Sequence, residues 1–266
     1  MISNYHTHTT FCDGKNTPEE IILYAIDKGV SSIGFSGHGY TPFDLRYCMQ
    51  NTQGYIEEVS RLKDKYSNKI EIYCGVEEDA FSHVNRENFD YIIGSSHYFN
   101  IYNIYYPIDS NYNYFKKCLE VFDYDVIKLS EVYYKTFVGY VKNRKPDIVG
   151  HFDVITKFDE IDTQRFLNNS QYLRIAQKYI KIAAQADVIF EMNTGAMSRG
   201  IRKTPYLGEN LLYILKTQGG KVILSSDCHS VEMLDYCFDE MEYILRDVGF
   251  NCVYELYKGE FRKRDI

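Results

Sequence analysis

Residues 4–14 read Asn-Tyr-His-Thr-His-Thr-Thr-Phe-Cys-Asp-Gly, and the interpretation of the 266-residue chain starts from this stretch. In an extended backbone, His6 and His8 point their rings to the same side because they are two residues apart. Two such imidazoles form a chelating pair for a divalent transition metal. Asp13 follows in the adjoining loop, where it can hold a second ion. Because a His-x-His pair also arises by chance, its meaning depends on residues downstream.

Downstream of this pair the chain repeats one pattern about seven times: a short apolar strand, a polar residue and a helix. The later strands are predicted at about 32–36, 70–74, 91–94, 147–150, 188–192 and 221–226. The first helix is predicted to start at Thr17-Pro18-Glu19-Glu20, which has the form of a capping box with proline at the first helical position. Further helices are predicted at about 55–66, 170–186, 208–217 and 232–248, with two more between 110 and 141.

Alternating strands and helices indicate parallel strands joined by helical crossovers. The polar residue stands at the C-terminal end of each strand, which is where the active site of a (β/α) barrel lies. A doubly wound open sheet follows a similar rule but does not readily bring seven strand ends to one site. The sequence therefore predicts an α/β barrel. No linker or repeat divides the chain, so that a single domain, 1–266, is expected.

The histidines are concentrated at the predicted strand ends. Six of the seven lie there, and only His83 does not. Glu77 and Asp227 also end strands, and a buried carboxylate needs a partner cation. The resulting set of imidazoles and carboxylates is too large for one ion and suits two or three divalent ions. It consists of His6, His8, Asp13, His38, Glu77, His97, His151, Asp227 and His229.

Composition excludes several functional classes. The net charge of −7 argues against a nucleic-acid partner, which normally meets a basic face. No signal peptide and no run of about 20 apolar residues is present, so that a membrane partner is not expected. The seven cysteines are scattered without Cys-x-x-Cys spacing, which favours a cytoplasmic location with reduced thiols. The sequence leaves open whether the chain is a monomer or a homodimer.

The order of these residues resembles the PHP superfamily, named after polymerase and histidinol phosphatase. The resemblance extends over nearly the whole chain, and segment 191–206 looks most like the stand-alone histidinol-phosphate phosphatases. The motifs that carry it are His6-x-His8, Gly37-His38, Gly75-x-Glu77, Gly94-Ser95-x-His97, Gly150-His151-x-Asp153 and Ser226-Asp227-x-His229.

The resemblance implies a distorted (β/α)7 TIM-like barrel with a trinuclear site of Mn, Fe or Zn ions. One ion would be held by His6, His8, Glu77 and Asp227. The second would be held by Glu77, His97 and His151, with Glu77 as the bridge. The third would be held by Asp13, His38 and His229.

The chemistry that follows is hydrolysis of a small-molecule phosphate monoester, L-histidinol phosphate, by attack of a metal-bridging hydroxide. Asp13 or His229, beside the third ion, would assist the departure of the leaving alkoxide, which needs a proton or a metal ion. The sequence does not decide between the two residues. The residues expected to bind the phosphate are Arg199, Arg202 and Lys157, with Asn193 as a further substrate anchor.

Three alternatives remain open at this point. Another PHP phosphoesterase would act on a nucleotide, a sugar phosphate or a phosphotyrosine protein. A catalytically silent metal-binding barrel would be free to lose ligands, whereas this chain has them at every strand end. An amidohydrolase on a similar barrel would want a lysine ligand where this chain has Glu77.

Overall fold

The computed structural model describes residues 2–161 and 165–266. Eleven strands lie in this part of the chain. In chain order they are β1 Ser3–Asn4, β2 Ser32–Phe35, β3 Glu71–Asp79, β4 Tyr91–Ser95, β5 Tyr98–Ile101, β6 Ile104–Pro107, β7 Ile148–Val149, β8 Ile189–Asn193, β9 Lys221–Ser225, β10 Cys252–Tyr257 and β11 Glu260–Asp265.

The α-helices of the described residues mostly follow the strands that carry polar ends. They are α1 Pro18–Asp27, α2 Thr52–Tyr66, α3 Tyr112–Val121, α4 Val126–Arg144, α5 Ser170–Ala184, α6 Gly195–Ser198, α7 Glu209–Thr217 and α8 Phe238–Val248. Helix α1 has the predicted capping box, in which Thr17 and Glu20 each accept from the other's backbone N–H. The prediction of two helices between 110 and 141 is confirmed by α3 and α4.

Seven strands form one parallel sheet in the order β1-β2-β3-β4-β7-β8-β9. The sheet curls until its two edges approach each other, and beyond the edge strands a parallel bridge joins Thr7 to Cys228. Two backbone hydrogen bonds reinforce it, from His8 N to Cys228 O (2.8 Å) and from Cys228 N to His6 O (2.9 Å). The predicted (β/α)7 barrel is confirmed. This closure places both edges of the sheet beside the first histidine pair.

Aromatic side chains fill the barrel interior at the end opposite the histidines. Tyr5, Tyr73 and Tyr91 pack edge to face there. Gly75 is required beside them, since a Cβ at this position would lie 2.2 Å from Cζ of Tyr91. Leu256 of β10 belongs to the same cluster, and its N–H donates to the Tyr5 hydroxyl (2.9 Å). The C-terminal hairpin of β10 and β11 therefore covers this end of the barrel.

One helix start and two hairpins differ from what the sequence predicts. The helix predicted from 232 begins only at Phe238, because Val231–Met233 form a 3₁₀ turn and Cys237 takes a left-handed conformation (φ 57°). The hairpins β5–β6 and β10–β11 lie outside the barrel pattern and were not predicted.

Among the described residues no helix is both long and apolar enough to cross a membrane.

Candidate metal centre

The strand ends bring a first group of ligand atoms together at the centre of the barrel mouth. Asp227 Oδ1 lies 3.7 Å from His6 Nε2 and 3.1 Å from His8 Nε2. Glu77 Oε2 lies 3.4 Å and 3.6 Å from the same two nitrogens. These are the four residues expected to hold one ion, and all four are buried.

The second carboxylate oxygen of Glu77 faces a second group. Glu77 Oε1 lies 3.1 Å from His97 Nε2 and 3.0 Å from His151 Nε2. The two oxygens of one fully buried carboxylate thus point to two different pairs of histidines. This is the arrangement that a bridging ligand between two ions requires.

A third group lies at the outer side of the cluster. Asp13 stands 3.5 Å from His8 Nδ1, 3.7 Å from His38 Nε2 and 3.4 Å from His229 Nε2. His38 also reaches inward, with Nδ1 2.8 Å from Glu77 Oε2. The structure therefore brings together all nine residues expected as metal ligands.

The donor atoms fit divalent ions. Two ligand atoms that bind one zinc-like ion in tetrahedral geometry at about 2.1 Å lie roughly 3.4 Å apart, as the atoms of the first group do. Three buried atoms of this group, namely His6 Nε2, His8 Nε2 and Glu77 Oε2, have other ligand atoms close by but form no hydrogen bond of acceptable geometry among the described residues. An unpaired buried polar atom is costly, and a bound cation removes that cost.

Electrostatics favour cation binding at the same place. Burial disfavours the charged form of Glu77, but His97 and His38 outweigh it and hold its pKa well below the ordinary value. Burial likewise opposes ionisation of Asp227, and Arg199 and His6 hold its pKa well below the ordinary value. Both carboxylates are therefore ionised at neutral pH, as metal ligands must be.

Burial and neighbouring charges shift the pKa values of the histidines in two directions. Burial lowers the pKa of His8 to about 3, and the adjacent His229 and His38 act in the same direction. Burial also works against charging His6 and His97. The carboxylates of Glu191 and Glu77 nevertheless raise the pKa of His6, and Glu77 and Asp109 raise that of His97.

Glu191 is a buried carboxylate of the site that the sequence analysis did not identify. Its Oε1 lies 2.7 Å from His6 Nδ1, and its Oε2 accepts from the backbone N–H of His151 (3.1 Å) and from Asn193 Nδ2 (3.0 Å). A carboxylate on the second ring nitrogen orients a metal-binding histidine. The signal available in the sequence is a glutamate inside the apolar strand β8, two residues before Asn193 and so on the same face.

Asp79 supports His97 in a similar way and was also missed. Its Oδ2 accepts the backbone N–H of His97 (2.9 Å) and lies 3.3 Å from His97 Nδ1. Glu78, which stands between Glu77 and Asp79 in the chain, is fully buried on the opposite side of β3. There it accepts from Arg144 (2.8 Å) and from the Tyr140 hydroxyl (2.8 Å), away from the metal ligands.

A cavity of about 310 Å³ opens over the histidines, and two of the proposed phosphate-binding residues line it. Arg199 Nη2 donates to Asp227 Oδ2 (2.9 Å), and Nη1 lies 3.1 Å from His229 Nδ1. Gly195 permits this approach, since a Cβ there would lie 2.7 Å from that of Asp227. Lys157 Nζ donates to the carbonyl oxygen of Asp109 (2.6 Å).

The other two proposed substrate residues do not line this cavity. Arg202 is buried, donates to Thr156 Oγ1 (2.5 Å) and Thr204 Oγ1 (3.0 Å), and borders a separate cavity with Asp153. Asn193 is buried behind the ligands, where Oδ1 accepts the N–H of Gly195 (2.8 Å). Its contacts position Glu191 and the start of α6.

The remaining lining includes groups that the sequence analysis did not single out. Asp109 follows hairpin β5–β6, and Tyr47 and Tyr98 stand near it in the same cavity. The Tyr47 ring lies edge-on to His38, with centroids 4.7 Å apart, and the Tyr98 hydroxyl donates to Asp44 (2.8 Å). Since β5 and β6 were not predicted, nothing in the sequence pattern linked Asp109 to the histidines.

Comparison with known proteins finds relatives over almost the full chain. A probable histidinol-phosphatase of Schizosaccharomyces pombe is 27% identical over 279 residues, covering 96% of this chain and 89% of the relative. A histidinol-phosphatase of Lactococcus lactis subsp. lactis is 22% identical, with 93% of this chain and 91% of the relative covered.

Solved structures have the same fold. The histidinol phosphate phosphatase of Lactococcus lactis subsp. lactis, crystallised with zinc, L-histidinol and phosphate, superposes with a TM-score of 0.74. The two chains are 21% identical, and the match covers 98% of each. The family model of the PHP domain matches residues 4–195, which include every proposed ligand except Asp227 and His229. The chain therefore belongs to the PHP domain family.

Proposed function

We propose that this chain is a metal-dependent phosphatase that hydrolyses L-histidinol phosphate to L-histidinol and phosphate. The observation that carries the proposal is the position of Glu77, whose two oxygens face separate histidine pairs beneath a cavity lined by Arg199 and Lys157. The names of the relatives support this substrate. The whole chain, 1–266, would act as one phosphoesterase domain on a small molecule rather than on a nucleic acid.

Two or three divalent ions, of Mn, Fe or Zn, would be held by the three groups of ligands. Bound there, they would supply an activated water for in-line attack and neutralise charge on the phosphate oxygens. Glu77 would link the two inner groups. Burial alone would raise the pKa of Asp13, but His38 and His229 lower it, so that Asp13 is ionised and acts as a ligand rather than as a proton donor.

Arg199 and Lys157 would bind the phosphate. A guanidinium presents two N–H groups to a tetrahedral oxyanion, whereas an ammonium acts as a point charge. Arg199 is held by Asp227 and keeps 30% of its side chain exposed to the cavity. We do not assign phosphate binding to Arg202, whose donors are directed at Thr156 and Thr204.

The test is phosphate release by manganese-reconstituted protein. L-Histidinol phosphate is compared with nucleoside monophosphates, sugar phosphates and a phosphotyrosine peptide. The proposal expects a kcat/KM for L-histidinol phosphate at least about 100-fold above the rest of the panel, because one site complementary to one substrate gains several kcal/mol of discrimination. Equal activity on all of them would refute this substrate while retaining the metal phosphoesterase.

A further inference from the structure

The cavity that is proposed to bind the phosphate also contains a carboxylate, that of Asp109. It lines the cavity together with His97, His151, Lys157 and Arg199. Burial works against its ionisation, but Lys157 and His97 lower its pKa, so that it carries a negative charge. A carboxylate placed there repels a phosphate dianion unless a positive charge of the ligand compensates it.

The carboxylate of Asp109 is only weakly engaged by the protein. Lys157 makes its short contact with the backbone carbonyl of Asp109 (2.6 Å), whereas the distance from Lys157 Nζ to Oδ2 is 3.4 Å. Among the described residues, no other hydrogen bond or ion pair to this carboxylate is present. About 18% of the side chain remains exposed, on the side of the cavity. The carboxylate therefore has acceptor capacity left for a ligand.

The backbone holds Asp109 firmly beside the metal centre. Tyr98 pairs with Pro107 across hairpin β5–β6, and the N–H of Ile108 donates to the carbonyl oxygen of His97 (2.8 Å). The residue after Ile108 is thus fixed next to a metal ligand. A carboxylate held on a rigid element discriminates between ligands better than one on an unpaired loop.

We propose that Asp109 selects phosphate monoesters that carry an ammonium group close to the phosphate, by pairing its carboxylate with that ammonium. The inference rests on the proposed phosphatase function and names the part of the substrate that this residue recognises. In L-histidinol phosphate the amino group stands two carbons from the ester oxygen. A carboxylate that binds it must lie next to a phosphate-binding cation, as Asp109 lies next to Lys157. Tyr47 adds an aromatic wall to the same cavity.

The first experiment measures binding by calorimetry in manganese-reconstituted protein, independently of turnover. O-Phosphoethanolamine is compared with propyl phosphate, which has the same chain length but carries a methyl group in place of the ammonium. The unchanged protein is expected to bind the amine about 10–100-fold more tightly, the usual effect of one hydrogen bond to a charged partner. In Asp109→Asn this preference falls to within about threefold, while propyl phosphate binds as before or more tightly.

Two controls separate this role from others. Asp64→Asn changes an exposed carboxylate on α2 and keeps the full preference. Lys157→Met removes the cation proposed to bind the phosphate and is expected to weaken both ligands, while the hydrogen bond from the Ile108 N–H to the His97 carbonyl still fixes the backbone before Asp109. Bound manganese in Asp109→Asn, measured by atomic emission, stays at the level of the unchanged protein.

A second experiment compares kcat/KM for L-histidinol phosphate and for its analogue without the amino group, 3-(imidazol-4-yl)propyl phosphate. Asp109→Asn is expected to lower only the first. If the variant keeps the preference for the amine in both experiments, or loses both ligands of a pair equally, the proposal for Asp109 is wrong. If the unchanged protein binds the amine selectively but does not hydrolyse L-histidinol phosphate, the phosphatase assignment fails and the role of Asp109 stands.

Discussion

Glu191 Oε1 lies 2.7 Å from His6 Nδ1, and when His6 binds a metal ion this carboxylate would hold the ring proton on Nδ1, the nitrogen that faces away from Glu77 and Asp227. His6 Nε2 is then free as a ligand atom. The other oxygen of Glu191 accepts from the His151 N–H and from Asn193. One carboxylate therefore contacts two proposed ligands, one that follows β1 and one that follows β7, and we expect it to determine metal affinity.

Glu191→Gln tests this relationship. Both oxygens of Glu191 accept from N–H donors, so that the amide of glutamine must direct its NH2 group at a donor in either orientation. We expect metal affinity to fall about 10–100-fold. The measurement is a chelator competition titration. Glu255→Gln changes a buried glutamate paired with Arg262 and is expected to leave metal affinity unaltered. Equal affinities in both variants would contradict the role of Glu191.

Glu77→Gln tests the bridging role proposed for this carboxylate. Glutamine has a single amide oxygen and no charge, whereas Glu77 now presents one carboxylate oxygen to each of two groups of ligands. We therefore expect the variant protein to lose more than one metal ion. Since the proposed metal centre would supply several kcal/mol of transition-state stabilisation, we expect kcat to fall about 10³-fold. Metal content by mass spectrometry and phosphate release measure the two effects.

The neighbouring residue is the control for that variant. Glu78→Gln weakens the contacts to Arg144 and Tyr140, and the free energy of unfolding is expected to fall by about 2–4 kcal/mol, less than for a fully buried ion pair because Arg144 is partly exposed. Metal stoichiometry is expected to stay unchanged because Glu78 faces away from the ligands. A Glu77→Gln protein with normal metal content and turnover would exclude the bridge.

Arg199→Met and Arg202→Met distinguish the two arginines. If Arg199 binds the phosphate as proposed, Arg199→Met would remove charge-assisted hydrogen bonds, so that KM and the Ki of inorganic phosphate are expected to rise about 10–100-fold. Arg202→Met removes buried contacts to Thr156 and Thr204, and we expect a lower melting temperature with the phosphate Ki unchanged. The reverse result would place the phosphate clamp at Arg202.

Metal binding is expected to strengthen as pH rises. The raised pKa values of His6 and His97 mean that these rings carry protons in the metal-free protein near neutral pH. Metal ions must displace those protons, so that each proton released makes the apparent Kd fall about tenfold per pH unit below the pKa concerned. Calorimetry in two buffers of different ionisation enthalpy counts the protons. No proton release between pH 6 and 8 would contradict these pKa directions.

Features governed by local sequence were predictable. The capping box of Thr17 and Glu20 needs only four residues to specify it, and the helix starts where expected. The strand ends were predictable because parallel strands present their C-termini on one side of a barrel. The nine ligand residues could therefore be brought to one site before any coordinates were known.

Features governed by distant partners were not predictable. Glu78 gives no local sign of burial, because its partner Arg144 stands 66 positions away. The roles of Glu191 and Asp79 depend on which histidine ring meets each carboxylate, and spacing does not specify this. Arg199 and Arg202 look equivalent in the sequence, yet the α6 turn directs only Arg199 to the cavity.

The closure of the barrel has a consequence for how the metal centre is made. Asn4 Nδ2 donates to Ser226 Oγ at 2.7 Å across 222 positions of sequence, beside the two ends of the sheet that carry His6 and Asp227. During translation the ribosome releases His6 and His8 long before strand β9. A nascent chain therefore holds its first two ligands without Asp227, and contacts of such long sequence separation form slowly. Completion of the last barrel strand adds Asp227 and His229, and with them the first and third groups of ligands become complete.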